Sequence, residues 1–265
     1  MFDFLRRLLG DPAPQAIPDE LWGEVLARIV WFDDLTEEER ARLREYAGRF
    51  LASKTFMGAG GLQVEPDMKL TIALMACWPL LYRSHRELRG WTSVVVYPDG
   101  FRAQRRDECE ETGVVSEYTE DLAGEAWERG PLILSWADID EDLENPDDGM
   151  CVVVHEMAHK LDERSGDVNG VPVLPRGVSL DEWASVFHAA FDALGQLVDD
   201  EREDESLIDP YAATAPEEFF AVCSECFFTR PDLLAEQFPE VEALLRRYYL
   251  PEPTVGVSGS TRRSW

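Results

Sequence analysis

The segment that most constrains this chain is VVVHEMAHKLD, residues 152–162, which places two histidines four positions apart. On an α-helix, residues four apart point in nearly the same direction and are separated by a rise of about 6 Å. Most other positions of the segment are apolar, as a helix packed into a core requires: Val153, Val154, Met157, Ala158 and Leu161. The segment therefore predicts a buried helix that presents His155 and His159 side by side.

Two imidazoles on one helix face can bind a single metal ion. Zinc binds imidazole nitrogens at about 2.0–2.1 Å. In the H-E-x-x-H pattern, the glutamate after the first histidine lies beside the metal as a general base, and Glu156 holds that position here. The segment thus indicates one zinc ion on His155 and His159.

The third ligand of this site is left open by the local pattern. A catalytic zinc takes three protein ligands and keeps a fourth position for water. The metzincin pattern requires a further histidine six residues after the second one, where Ser165 stands, so that class is excluded. The remaining candidates are carboxylates on a later helix, or His188.

Capping boxes reduce the set of candidate carboxylates. Glu182 completes a box opened by Ser179, and Glu217 completes one opened by Thr214, so both are interpreted as helix caps. This leaves Glu218 to point inwards at the start of an apolar helix, where a cation would offset the cost of burying its charge.

Five other residues near these helices have side chains that bind metals or protons in some proteins. Glu225 lies on the same face as the carboxylate just selected, as an alternative ligand or the hydrogen-bond partner of one. Asp162 either orients a ligand imidazole or is a surface acid at a helix end. His188 is interpreted as a core or rim residue. Cys223 and Cys226 are interpreted as core cysteines, because no second C-x-x-C pair exists.

Charge and composition exclude several classes of function. Fifty-three acidic residues against 25 basic ones give a net charge of −28, a field that repels nucleic-acid phosphates and anionic membranes. The longest apolar run, residues 70–82, contains Pro79 and is shorter than the ~20 residues that cross a bilayer. The start lacks a secretory pattern, and the five cysteines are few and irregularly spaced. We therefore expect a cytoplasmic protein.

The order of predicted elements favours an α+β fold. A capping box from Thr36 to Glu39 predicts a helix at about 37–53, and the apolar run predicts a buried helix. Two β-branched or apolar segments predict strands: WTSVVVYPDGF and GPLILSW. An acidic loop at 137–149 precedes the histidine segment, and helices follow from residue 180. The tail, residues 251–265, is expected to be disordered.

Taken together, these segments resemble a known family. HEMAHKLD, the GD…GVP..P loop after it and DPYAATAPEEFFAVCSECFF are similar to the MtfA (Mlc titration factor A) family of zinc peptidases. KLTIALMACWPLL, VVVYPDGF and GPLILSW also occur in that family's order. The resemblance covers residues 17–250, which we expect to form one metallopeptidase domain after a leader segment, residues 1–16.

The resemblance has specific implications for fold and site. The family's catalytic part is similar to that of anthrax lethal factor, a gluzincin whose third ligand is a glutamate on a separate helix. It implies a zincin-like α+β domain with an HExxH helix, a small mixed sheet and a helical N-terminal part. It implies zinc on His155, His159 and Glu218, with Glu156 as the base and Tyr211 as a donor to the transition state.

The resemblance also implies a function. The expected activity is zinc-dependent hydrolysis of peptide bonds, as an aminopeptidase, by a zinc-bound water that Glu156 activates. Family members in enteric bacteria also bind the glucose-responsive repressor Mlc. The alternative is therefore a regulatory protein that sequesters a transcriptional repressor, with the zinc site secondary.

Overall fold

The structure is a computed structural model, and it describes residues 12–99 and 130–250. The chain divides into two compact units, Met1–Leu143 and Glu144–Trp265. Most of the expected leader segment and the whole expected tail lie outside the described residues. The prediction of one domain over residues 17–250 stays a prediction.

The first unit contains helices α1 (Asp19–Leu26), α2 (Glu37–Ser53), α3 (Pro66–Cys77) and α4 (Trp136–Glu144). The predicted start of α2 is confirmed, because the Thr36 side chain accepts from the backbone of Glu39 and the Glu39 side chain bonds back. Helix α3 is buried along most of its length, as predicted. It ends at Cys77, where a 3-10 turn, Trp78–Leu80, accommodates Pro79.

The sheet of this unit has three strands, β1 (Thr55–Gly58), β2 (Ser93–Tyr97) and β3 (Leu132–Ser135), in the order β1-β2-β3. Both predicted strands are confirmed. Both pairings are parallel, so the expected mixed sheet is corrected to a parallel one for the described strands. Helix α3 provides the crossover that a parallel β1–β2 pair needs. Strand β1 was not predicted, because its four residues are mostly exposed and do not alternate between buried and exposed side chains.

The acidic segment at 137–149 was predicted as a loop, and this was wrong for its first half, which forms α4. The many acidic residues of this segment suggested a loop, but one face of the helix, which includes Ile139, is buried. The Ser135 hydroxyl accepts from the backbone N–H of Asp138 and stabilises the first turn. The helix stops just before Asn145 and Pro146, because the residue before a proline avoids the α conformation.

The second unit is helical: α5 (Val152–Asp162), α6 (Leu180–Asp199), α7 (Pro216–Thr229), α8 (Pro231–Gln237) and α9 (Pro239–Tyr249). Helix α7 is central and packs against each of the other four. Stacked and edge-on aromatic rings around Trp183 join α6 to α7 and α9. The predicted helix over 152–162 and the irregular loop after it are confirmed. Throughout the described parts of both units, every helix falls short of what a bilayer crossing requires.

Candidate metal centre

Helix α5 presents the two histidines as its sequence predicts. Their Nε2 atoms lie 3.2 Å apart and face one another. The His155 side chain is almost fully buried, with 5% of its surface exposed, while His159 is 17% exposed. The deeper ring is thus enclosed by the core and the second lies nearer the surface.

Helix α7 supplies a carboxylate to the same point. Oε2 of Glu218 lies 3.0 Å from Nε2 of His155 and 3.4 Å from Nε2 of His159. Within the described residues, these three side chains are the group of potential metal ligands that converges, each offering one ligand atom. The structure therefore brings together the three residues predicted as ligands.

The spacing of the three atoms fits a tetrahedral ion. Two ligands at about 2.0–2.1 Å from such an ion lie about 3.3–3.4 Å from each other. The observed separations of 3.0, 3.2 and 3.4 Å bracket that spacing. Two imidazole nitrogens and one carboxylate oxygen also form a donor set that leaves a fourth position for water or substrate.

Glu225 fixes the ring of the deeper histidine. Its Oε1 lies 2.6 Å from Nδ1 of His155, and its Oε2 accepts a 2.6 Å hydrogen bond from the backbone N–H of Cys151. A carboxylate only accepts, so Nδ1 carries a proton whether the ring is charged or neutral, and a metal ion competes only with the proton on Nε2. Of the two roles predicted for Glu225, the structure thus places it as a partner of His155, outside the group of three.

The electrostatics of this group favour a positive charge at its centre. Burial lowers the pKa of His155, but the charge of Glu225 and the hydrogen bonds of both glutamates outweigh it and raise the pKa to about 10. Burial raises the pKa of Glu218, but hydrogen bonds from His155 and His159 hold it well below its usual range. The carboxylates therefore stabilise a cation among them, either a proton or a metal ion.

Asp162, at the end of α5, is fully buried and is not a surface acid. Its Oδ2 accepts hydrogen bonds from the backbone N–H groups of Asn169, at 2.8 Å, and Gly170, at 2.6 Å. Burial raises the pKa of Asp162, and these two bonds oppose the rise. The carbonyl of Gly170 in turn accepts from the Trp183 indole at 2.9 Å. Asp162 thus fastens the loop after α5 to the core.

The two residues predicted to act in catalysis lie beside this group. Glu156 is half-buried on α5, and its negative charge contributes to the raised pKa of His155. Tyr211 is half-buried in the 3-10 turn Pro210–Ala213, and its ring centre is 6.3 Å from that of His155. Its backbone N–H donates to Asp209 Oδ1 at 2.9 Å, which holds the turn in place.

The other candidate ligands lie elsewhere. Glu182 is exposed, and Ser179 accepts from its backbone N–H as predicted. The Glu182 side chain forms an ion pair with Arg247 and does not complete the box, so its predicted role as a cap is wrong. His188 is exposed on α6 and is not in the ligand group. Cys223 and Cys226 are buried free thiols inside α7, so their interpretation as core cysteines is confirmed.

The capping box predicted for Thr214 and Glu217 is wrong. The residue before α7 is Ala215, which makes no side-chain cap. The Thr214 hydroxyl instead donates to the carbonyl of Tyr211, because it closes the preceding 3-10 turn. The elimination of Glu217 as a cap therefore does not hold, and it is the packing of α7 on α5 that brings Glu218 to the two histidines.

Comparison with known proteins agrees with the resemblance seen in the sequence. The family described as glucose-regulated metallo-peptidase M90 matches residues 6–250. Mlc titration factor A of Salmonella arizonae is 37% identical over 239 residues, which cover 89% of this chain and 92% of that protein. The protein of the same name from Escherichia fergusonii is 37% identical over 235 residues, covering 88% and 86% of the two chains. That of an Enterobacter species is 37% identical over 244 residues, or 90% and 89%. With this extent of similarity, and a convergent group of two histidines and a glutamate, the chain belongs to the M90 family of metallopeptidases.

Proposed function

We propose that this protein is a zinc-dependent peptidase with its active centre on helices α5 and α7. The observation that carries the proposal is the convergence of three ligand atoms, 3.0–3.4 Å apart, with Glu225 Oε1 lying 2.6 Å from Nδ1, the far ring nitrogen of His155. This arrangement brings the Nε2 atoms of both histidines and one carboxylate oxygen to a common point.

His155, His159 and Glu218 would hold the ion. Zinc, when bound, supplies a Lewis acid that polarises a carbonyl and lowers the pKa of water to about 7. The single negative charge of Glu218 with two neutral imidazoles leaves the centre with a net positive charge, which suits an electrophilic role.

Glu156 is proposed as the general base. It follows His155 directly on α5, and its charge acts on that ring. From that position its carboxylate takes a proton from the attacking water and later delivers it to the leaving amine. A purely structural metal site has no use for a carboxylate there.

Tyr211 is proposed to stabilise the oxyanion. Its ring centre lies 6.3 Å from that of the His155 imidazole. A phenol hydroxyl there donates a hydrogen bond to the carbonyl oxygen as negative charge develops on it, which is the role of an oxyanion-hole donor.

The proposed substrates are peptides, cleaved from their amino end by a cytoplasmic enzyme. Membership of a peptidase family supports the substrate class. The net charge of −28 supports a preference for substrates with a free, cationic amino terminus. Aminoacyl anilides and their N-acetylated counterparts separate this activity from internal cleavage, because only the former carry the terminal charge.

The test is Glu156→Gln, with Glu236→Gln as control because Glu236 is exposed on α8. We expect Glu156→Gln to bind zinc stoichiometrically and to lose about 10²–10⁴-fold in turnover, the usual contribution of a general base. The control should retain wild-type turnover. Chelator-sensitive turnover that survives in Glu156→Gln would contradict the assignment of the base, and absence of zinc from the wild type would contradict the proposed centre.

A second candidate function is sequestration of a transcriptional repressor. It is supported by the name of the similar enterobacterial proteins, Mlc titration factor A. The Glu156→Gln variant discriminates between the two, because repressor binding does not need a general base. A repressor-type partner that binds wild type and variant equally, with no peptide cleaved by either, would favour this second function.

A further inference from the structure

Two buried polar atoms beside the proposed centre have no hydrogen-bond partner among the described residues: Nδ1 of His159 and Oδ1 of Asp162. The two residues are three positions apart on α5 and so lie on the same helix face. The charge of His159 acts on Asp162, which places the two groups near each other. Buried polar atoms in folded proteins are nearly always paired with protein or with ordered water.

We propose that Asp162 is the positioning residue for His159, with one buried water joining its Oδ1 to Nδ1–H of the imidazole. The water accepts from the ring and donates to the carboxylate, because a carboxylate offers only acceptors. The proton is thereby kept on Nδ1, and Nε2 faces Glu218 with its lone pair available. The inference rests on the proposed metal centre and assigns to Asp162 the task that Glu225 performs for His155.

The carboxylate of Asp162 is itself fixed. Its Oδ2 accepts from two backbone N–H groups, of Asn169 and Gly170, which restricts rotation of the carboxylate and so of Oδ1. A residue that served only to anchor the loop would need just the first oxygen. The second oxygen is also buried and has no partner, as has a ring nitrogen of the nearby His159, and this distinguishes a positioning role.

The same loop also lies against the start of the helix that carries the third ligand. Gly170 has a positive φ of 77°, and a Cβ at this position would lie 2.5 Å from the carbonyl oxygen of Pro216. Pro216 is the first residue of α7, two positions before Glu218. The Asp162 carboxylate therefore contacts the second histidine through the proposed water, and it also fixes the loop that lies against the start of α7.

The test is Asp162→Asn, with Asp167→Asn as control because Asp167 is exposed in the same loop. Asparagine keeps the size of the side chain and an oxygen for the two loop N–H groups. Its amide, however, presents a donor to the bridging water, which reverses the bridge and moves the imidazole proton to Nε2. We expect zinc affinity to fall by about 10–100-fold, as for other partners of metal-bound histidines, and the control to match wild type.

The deciding measurement is the tautomer of His159, from the ¹⁵N shifts of that imidazole in its neutral form in the metal-free protein. We expect the proton on Nδ1 in wild type and on Nε2 in Asp162→Asn. This readout needs neither zinc nor turnover, so a wild type that fails to bind zinc rejects the proposed function while the tautomer still decides the inference. A wild-type proton on Nε2, or an unchanged tautomer and zinc affinity in a variant that merely unfolds more easily, would overturn it.

Discussion

Replacing Glu225 by glutamine tests the reasoning about this centre most directly. The carboxylate makes two bonds of 2.6 Å, to Nδ1 of His155 and from the N–H of Cys151. A glutamine has one oxygen for these two donors. If that oxygen accepts from Cys151, the amide faces Nδ1 and drives the ring proton to Nε2, where it blocks a metal.

The magnitude follows from these contacts. In the first orientation the ring exchanges a bond to a charged carboxylate for a weaker one to a neutral amide. In the opposite orientation the ring bond is retained, but the amide N–H faces the N–H of Cys151, and one buried polar group loses its partner. Such a group costs about 1–3 kcal/mol of folding stability. The loss of a ligand's hydrogen-bond partner weakens zinc binding by about 10–100-fold, or about 1.4–2.7 kcal/mol.

The assay is competition for zinc against a coloured chelator, combined with urea unfolding of the metal-free protein. Glu236→Gln is the matched control, since it removes the same charge from an exposed position on α8. We expect both quantities to fall in Glu225→Gln and neither in the control. A zinc affinity equal to that of wild type in a folded Glu225→Gln would refute the argument that this carboxylate sets the tautomer of His155.

Two further predictions concern stability and thiol reactivity. Gly170→Ala should lower the free energy of unfolding by about 1–3 kcal/mol, because its φ is 77° and the added Cβ meets Pro216. Gly195→Ala lies inside α6 with open space around the new methyl, so it should raise the free energy of unfolding by about 0.5–1 kcal/mol. Urea unfolding of both variants checks that one loses and the other gains stability. Burial raises the pKa of Cys226 to about 12 and that of Cys77 above its usual range, so these thiols are not thiolates at neutral pH. Ellman's reagent should therefore leave the four buried cysteines of the described residues unmodified until the protein is unfolded, and their rapid modification in the native state would contradict the packing.

The local features of the fold could be predicted because their causes lie within one or two helical turns. The Thr36 box places the start of α2 through bonds that span three residues. The pair His155 and His159 is aligned by helical repeat alone, and the buried α3 follows from its composition. The local pattern predicted the wrong structure at two places. Helix α4 forms because one of its faces is buried, and Thr214 closes the preceding 3-10 turn in place of capping α7.

The sequence by itself determined that two imidazoles share one face of an apolar helix, with Glu156 between them, because that requires only the helical period. It could not determine from residues alone which carboxylate completes the group, since Glu218 is 63 positions from His155 along the chain. Only the packing of α7 against α5 decided this, and it also decided that Glu225 and Asp162 are buried beside the two histidines. The physical reason is that a hydrogen bond between distant segments depends on how whole helices fill the core, and no local pattern of residues encodes that distance.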